Sequence, residues 1–190
     1  VIVTQTRKAA ENALQQATAF LEGELKLTVN REKTHIVHAS EGIKFLGVKI
    51  HSRYTQIQDK KIKGFKEKVR QITRRNSPIN LKKVIEDLNP VLRGFANYFR
   101  IANCRGVLHS LMEWIRRRLR AKQMALWKKP NRLHRRLRQL GHRGEFLKIK
   151  MRSWRNAASP LAHKALRNCH LEEMGLYDME RVETGISVSV

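Results

Sequence analysis

Apolar and polar positions along the chain change rhythm partway through. Residues 1–3, VIV, read as the end of a buried strand. Over residues 7–24, Ala10, Leu14, Ala17 and Leu21 recur at three- and four-residue spacing, one face of an amphipathic helix, with Thr6 placed to cap it. Strand-like runs follow: LKLTV at 25–29, THIVH at 34–38, and IKFLGVKI at 43–50 as one strand. A further alternating stretch begins at Tyr54, so that the last two runs form a hairpin across His51, Ser52 and Arg53.

After Asp59 the period becomes helical. Ile62, Phe65, Val69 and Ile72 follow a 3-4-3 spacing, with Asp59 as the expected cap. The turn-forming NSPIN at 76–80 separates this helix from one starting near Asn80. Pro90 predicts an interruption there, with a new helix capped by Asn89. Further helices are expected at about 107–127 and from Pro130 to a stop at Gly141. Beyond 141 the pattern weakens to one helix after Pro160 and a tail, ETGISVSV, that is loose or a strand. The fold class is therefore α+β, a small antiparallel sheet followed by a mainly α-helical region.

On a helical wheel, residues 90–102 divide cleanly. Val91, Leu92, Phe95, Tyr98, Phe99 and Ala102 share a broad face, which predicts core, with Tyr98 at its edge and best placed to stack on a base. Arg93, Asn97 and Arg100 occupy the opposite stripe, and the two arginines are candidates for phosphate.

Charge decides the class of partner. Forty Lys and Arg against sixteen Asp and Glu give a formal charge of +24 and a pI near 11.0. Such an excess repels itself unless a polyanion is present, and nucleic acid is the default polyanion. No apolar run reaches the length of a membrane span, and nothing resembles a signal peptide. Two distant cysteines, Cys104 and Cys169, offer no zinc-binding pair and fit a reducing compartment. The chain opens on Val1 inside an apolar run, which reads as a piece of a longer protein.

Residues 115–140 concentrate the charge, with eleven Lys and Arg and no acid. A solvated helix ordinarily mixes signs, so Arg116, Arg117, Arg118, Arg120, Lys122, Lys128, Lys129, Arg132, Arg135, Arg136 and Arg138 are all candidate RNA-binding residues. Trp114 reads as core, whereas Trp127, beside two lysines, reads as open to nucleic acid. No nucleophile–base set, phosphate loop or zinc-protease motif is present. His35 and His38 read as structural, and the acids do not cluster as two-metal nucleotidyl transfer requires. The chain alone is expected to hold no metal and to catalyse nothing.

Two ordered blocks carry a family resemblance. LKLTVNREKTHIV followed by GIKFLGVKI resembles the end of a reverse-transcriptase palm. PVLRGFANYFRIA with EWIRRRLRAKQ and WKKPNRLHRRLRQLG resembles the thumb and maturase-specific region of group II intron-encoded proteins, and SWRNAASPLAHKAL with LEEMGLYDM resembles their C-terminal extension. The resemblance implies a palm edge over 1–57, a helical thumb and maturase domain over 58–141, and a basic, nucleic-acid-binding extension over 142–190. It implies binding of group II intron RNA to aid splicing. In the complete protein it implies a grip on a template–primer duplex or target DNA, RNA-directed DNA synthesis with Mg2+, and a bacterial cytoplasmic location. The family's paired catalytic aspartates are absent here. The resemblance gives Lys33 as a candidate general acid and Phe45, Leu46 and Gly47 as primer-grip-like. Two alternatives stand beside it: a free-standing basic RNA-binding protein or RNA chaperone, and, with less support, a duplex-DNA binder of a mobile element.

Overall fold

The computed structural model of the chain describes residues 1–150 and 157–185. Helix α1 (Arg7–Gly23) starts where the sequence placed it, with the Thr6 side chain accepting from the Ala9 backbone N–H at 3.2 Å. None of its residues is buried. The expected strands at 1–3, 25–29 and 34–38 do not form; these stretches run as irregular backbone. Their alternation has no neighbouring strand to pair with, and a lone strand leaves its backbone groups unsatisfied.

IKFLGVKI is two strands rather than one. β1 (Ile43–Phe45) and β2 (Val48–Ile50) pair antiparallel around a two-residue turn at Leu46 and Gly47, with Phe45 opposite Val48. Both turn residues have positive φ, +45° and +84°, the pattern of the tight hairpin turn that matches strand twist. β3 (Thr55–Ile57) pairs with β2 on its other side, giving the order β1-β2-β3 and the hairpin expected across 51–53.

The helical body begins at α2 (Asp59–Ile72). Gln58, not Asp59, is its N-cap, and Asp59 instead lies in the first turn, where a carboxylate suits the helix dipole. α3 (Leu81–Phe99) is capped by the Asn80 side chain on the Lys83 N–H and runs unbroken through Pro90. The continuous buried stripe Leu81, Val84, Ile85, Leu88, Leu92, Ala96 and Phe99 outweighs the one backbone hydrogen bond that proline forfeits. Asn89 therefore caps nothing. Its amide donates to the Gly175 carbonyl at 2.8 Å and accepts from the Tyr177 N–H at 2.9 Å, fastening the C-terminal segment to α3.

α4 (Arg105–Trp127) and α5 (Pro130–Gln139) follow, and α5 closes in a Schellman motif, with Gly141 at φ +83° and N–H bonds from Gly141 to Arg138 and from His142 to Leu137. Beyond it come α6 (Pro160–Ala165), α7 (Asn168–Glu173) and a 3₁₀ turn at Met179–Arg181. The helix after Pro160 was expected and α7 was not. The end of the ETGISVSV tail lies outside the described residues.

Two cores hold this together. The larger joins Val48 and Ile57 of the sheet to Phe65 and Val69, the α3 stripe, Leu108 to Leu119 of α4, and Leu171, Leu176 and Met179 from the C-terminal segment. The smaller gathers Met124, Leu133, Leu137, Ala162, Ala165 and Leu166, with Trp127 and Phe146 packed against it. Trp127 thus faces apolar neighbours rather than lying open. Phe95 is half-buried between Phe65 and Phe99, at ring distances of 4.1 and 4.8 Å, while Tyr98 stands outside the core at 53% exposure.

Candidate nucleic-acid interface

The basic run does not act as one surface. A helix packed on two sides buries part of whatever it carries, and α4 buries cations. Arg116 donates to Glu180 at 2.7 Å and sits 3.5 Å from Asp178, pinning the 3₁₀ turn. Arg120 donates to the Leu166 carbonyl at 2.8 Å and to Asn168 at 2.5 Å, tying α4 to the start of α7. The Lys122 ammonium is fully buried and donates to the carbonyls of Arg74 and Ser77, bracing the loop between α2 and α3. Arg118 donates to the Thr73 hydroxyl at 2.7 Å and lies 5.2 Å from the Trp114 ring centre. Burial, then the nearby Arg70, pushes the Arg118 pKa down, and burial does the same to Arg120 and Lys122. Arg116, Arg120 and Lys122 are therefore removed from the candidate RNA surface, and Arg118 is half-removed.

What remains exposed is a ledge. Leu133 and Leu137 turn the α5 core face inward, so Arg132, Arg135 and Arg138 face solvent together. Lys128 and Lys129 are exposed just before them, and Arg117 is exposed on α4. Arg136 is half-buried, with a guanidinium nitrogen 3.5 Å from His170. No acid occurs between Glu113 and Glu145. Lys128 and Lys129 stand at the N-terminal end of α5, where the helix dipole disfavours cations and favours an anion. Lys128 also takes a positive φ of +59° to make the corner between α4 and α5.

The α3 stripe is exposed as expected, but Arg93 already lies 5.2 Å from the Tyr177 ring. Arg100 ends α3 on the same body, away from α5 along the chain. Trp114 is half-buried, with Lys66 and Arg70 also within 5.8 Å of its ring centre. Exposed Lys60, Lys61 and Lys63 on α2 were missed by sequence reasoning. The 3-4-3 apolar spacing of that helix had already placed Lys60 and Lys63 on the outer face and Lys61 at the edge of the apolar one. Lys33 is exposed in a turn whose backbone is held by Asn30, and Phe45 and Leu46 are exposed on the hairpin. Among the described residues no three His, Cys, Asp or Glu side chains converge. Also among them, no helix is long and apolar enough to cross a membrane.

The 3₁₀ turn carries a pH-sensitive contact. His109 lies 3.0 Å from Glu180 and 3.8 Å from Glu113. The hydrogen bond and charge of Glu180 raise the His109 pKa against the opposing Arg116. Burial pushes the Glu180 carboxyl up, but the His109 bond and the Arg116 guanidinium together hold it below its usual value. The histidine contribution is thus complete below about pH 6.5 and is lost as pH rises through its elevated pKa. The carboxylate contribution is lost at the acid end, as pH falls through the depressed Glu180 value. The melting-temperature gap between the unmodified chain and His109→Asn should be widest on the acid side of the ordinary histidine value and shrink as pH rises above it. A gap that does not change across that range would contradict the contact.

These features define a class: a helical body with a small sheet, basic interior braces and an acid-free cationic ledge suited to a polyanion. Residues 62–141 match the family model for the group II intron, maturase-specific domain. The match runs from the first apolar position of α2 to the glycine that closes α5, and so covers both braces and ledge. No curated protein matches the chain. The match supports a maturase-related role in group II intron splicing and an association with group II intron RNA.

Proposed function

We propose that this chain is the RNA-holding portion of a group II intron maturase, and that the ledge of Lys128, Lys129, Arg132, Arg135 and Arg138 grips phosphates of the folded intron. The observation that carries this reading is the exposure of these five cations on a stretch without any acid, inside the matched segment. A-form RNA offers phosphates and 2′-hydroxyls across a shallow groove, which a rigid helical ledge can follow. Arg117 and Arg100 extend the contact.

In a complete protein the same body grips a template–primer duplex or target DNA during RNA-directed DNA synthesis in the bacterial cytoplasm. Phe45, Leu46 and Gly47 then border the primer, and Lys33 is a candidate proton donor. Mg2+ would serve the DNA synthesis of that complete protein. That α1 buries none of its residues favours this reading over a free-standing RNA chaperone, because an amphipathic helix draws most of its stability from a packed apolar face.

The test is a salt titration of binding to a group II intron RNA fragment. Five phosphate contacts give a slope of log K against log salt on the order of −4. A slope near zero rejects the proposal, and duplex DNA that competes as well as the RNA at fixed salt assigns the ledge to DNA instead.

A further inference from the structure

We infer that the cleft between α2 and α4 takes one unpaired nucleotide of the bound RNA, with Asp59 accepting from its base and Lys66 holding its phosphate. This rests on the RNA reading above and adds a base-reading site on helices other than α5.

The cleft follows from how the two helices meet. The Asn103 N–H donates to the Thr55 carbonyl at 3.1 Å, shortly before α2, and the Asn103 side chain accepts from the Thr55 N–H at 3.0 Å. Further along both helices, Lys66 and Arg70 come to 5.8 Å from the Trp114 ring centre. α2 and α4 are thus tied near the start of each and again at Trp114. A solvent-open space of about 600 Å³ is lined from both helices, a volume that accommodates a nucleotide. Ile62, Val107 and Leu111 give it apolar walls, and Ser110 adds a hydroxyl. Gly106 leaves one wall low, since a Cβ built there would meet nothing within 4 Å.

The charges along the cleft are segregated. Asp59 and Lys66 are two turns apart on α2, which puts them on one face and about 10 Å apart along its axis. That is roughly the reach of a nucleotide from the edge of its base to its phosphate. Trp114 gathers cations at the Lys66 end, with Arg118 5.2 Å from its centre. Glu67 pairs with Arg70 at 3.0 Å, but the pair is exposed and offsets only one of the three cations. At the other end the ionised Asp59 only accepts hydrogen bonds, so it suits the exocyclic amine of cytosine or adenine and disfavours the carbonyl edge of uracil. An apolar peptide would leave both charges unmatched. An open cleft also suits a nucleotide within a strand, which has to enter and leave.

The experiment uses the 190-residue chain with three RNA hairpins of one stem: fully paired, with a single bulged cytosine, and with a single bulged uracil. The unmodified chain should prefer the cytosine bulge to the paired stem by about tenfold, the worth of one base seated and hydrogen-bonded, with uracil between them. Asp59→Asn, whose amide donates as well as accepts, should bring cytosine and uracil level. Gly106→Leu fills the opening with a better helix former. It should erase the bulge preference while the melting temperature holds or rises and paired-hairpin affinity and salt slope stay unchanged. A preference that survives both variants places the base elsewhere and overturns the proposal. Tight, salt-sensitive binding of all three hairpins with no preference overturns it alone. No RNA binding at all overturns it together with the reading on which it rests. Self-association that Gly106→Leu abolishes would assign the cleft to a second copy of the chain and likewise overturn it.

Discussion

Lys122→Ala should destabilise the helical body by about 3–5 kcal/mol, far more than any change at its equally basic neighbour Arg117. The substitution empties a site with no solvent exposure and strips the donor from the Arg74 and Ser77 carbonyls. Those carbonyls lie in the loop that sets α2 against α3, so the loss spreads beyond the cavity. Lys122→Met keeps the aliphatic stem and deletes only the ammonium, and should cost about 1–3 kcal/mol. The difference between the two variants separates packing from hydrogen bonding. Arg117→Ala, on the exposed face, should stay within about 0.5 kcal/mol of the unmodified chain. Urea unfolding followed by circular dichroism measures all three. Equal midpoints for Lys122→Ala and Arg117→Ala would show that the buried ammonium braces nothing. A combined alanine variant at Arg116, Arg117, Arg118 and Arg120 would consequently report unfolding as much as RNA contact, because Arg116 and Arg120 hold the C-terminal segment.

The opposite outcome is expected on α5. Alanine at Arg132, Arg135 and Arg138 together should lower the magnitude of the salt slope by about 3 and weaken intron RNA binding uniformly across sequences. At moderate salt that amounts to at least a hundredfold loss, on the order of 1 kcal/mol per contact. The helix itself should persist, since Leu133 and Leu137 supply its packing and the Schellman closure at Gly141 needs none of the three side chains. Removing three like charges from one face even relieves repulsion. Circular dichroism with RNA binding at several salt concentrations tests this. Lost binding accompanied by lost helix would place these arginines among the structural braces, and unchanged binding would move the interface to another face.

Much of the architecture was legible from periodicity. The α1 helix and its Thr6 cap, the apolar face of α2, the start of α3 at Asn80, and the stop at Gly141 all follow from local rules about spacing and end groups. Local chemistry misled where a partner was required. LKLTV and THIVH alternate like strands and pair with nothing. Pro90 looked like a break, yet the buried stripe of α3 carries the helix through it. IKFLGVKI concealed a turn because leucine is an unexpected occupant of a positive-φ position.

Sequence by itself determined that this protein is strongly basic, that its body is helical, and which face of each helix is apolar. Those properties depend on composition and spacing within one element. Tertiary structure alone decided which cations are braces and which are ledge. Arg116, Arg117, Arg120 and Lys122 are alike in sequence, but three are buried and one is exposed, because the C-terminal segment and the loop between α2 and α3 pack against α4. Whether a charge meets a carbonyl or a phosphate depends on what lies across from it, and those partners are 45 to 64 residues distant in the chain.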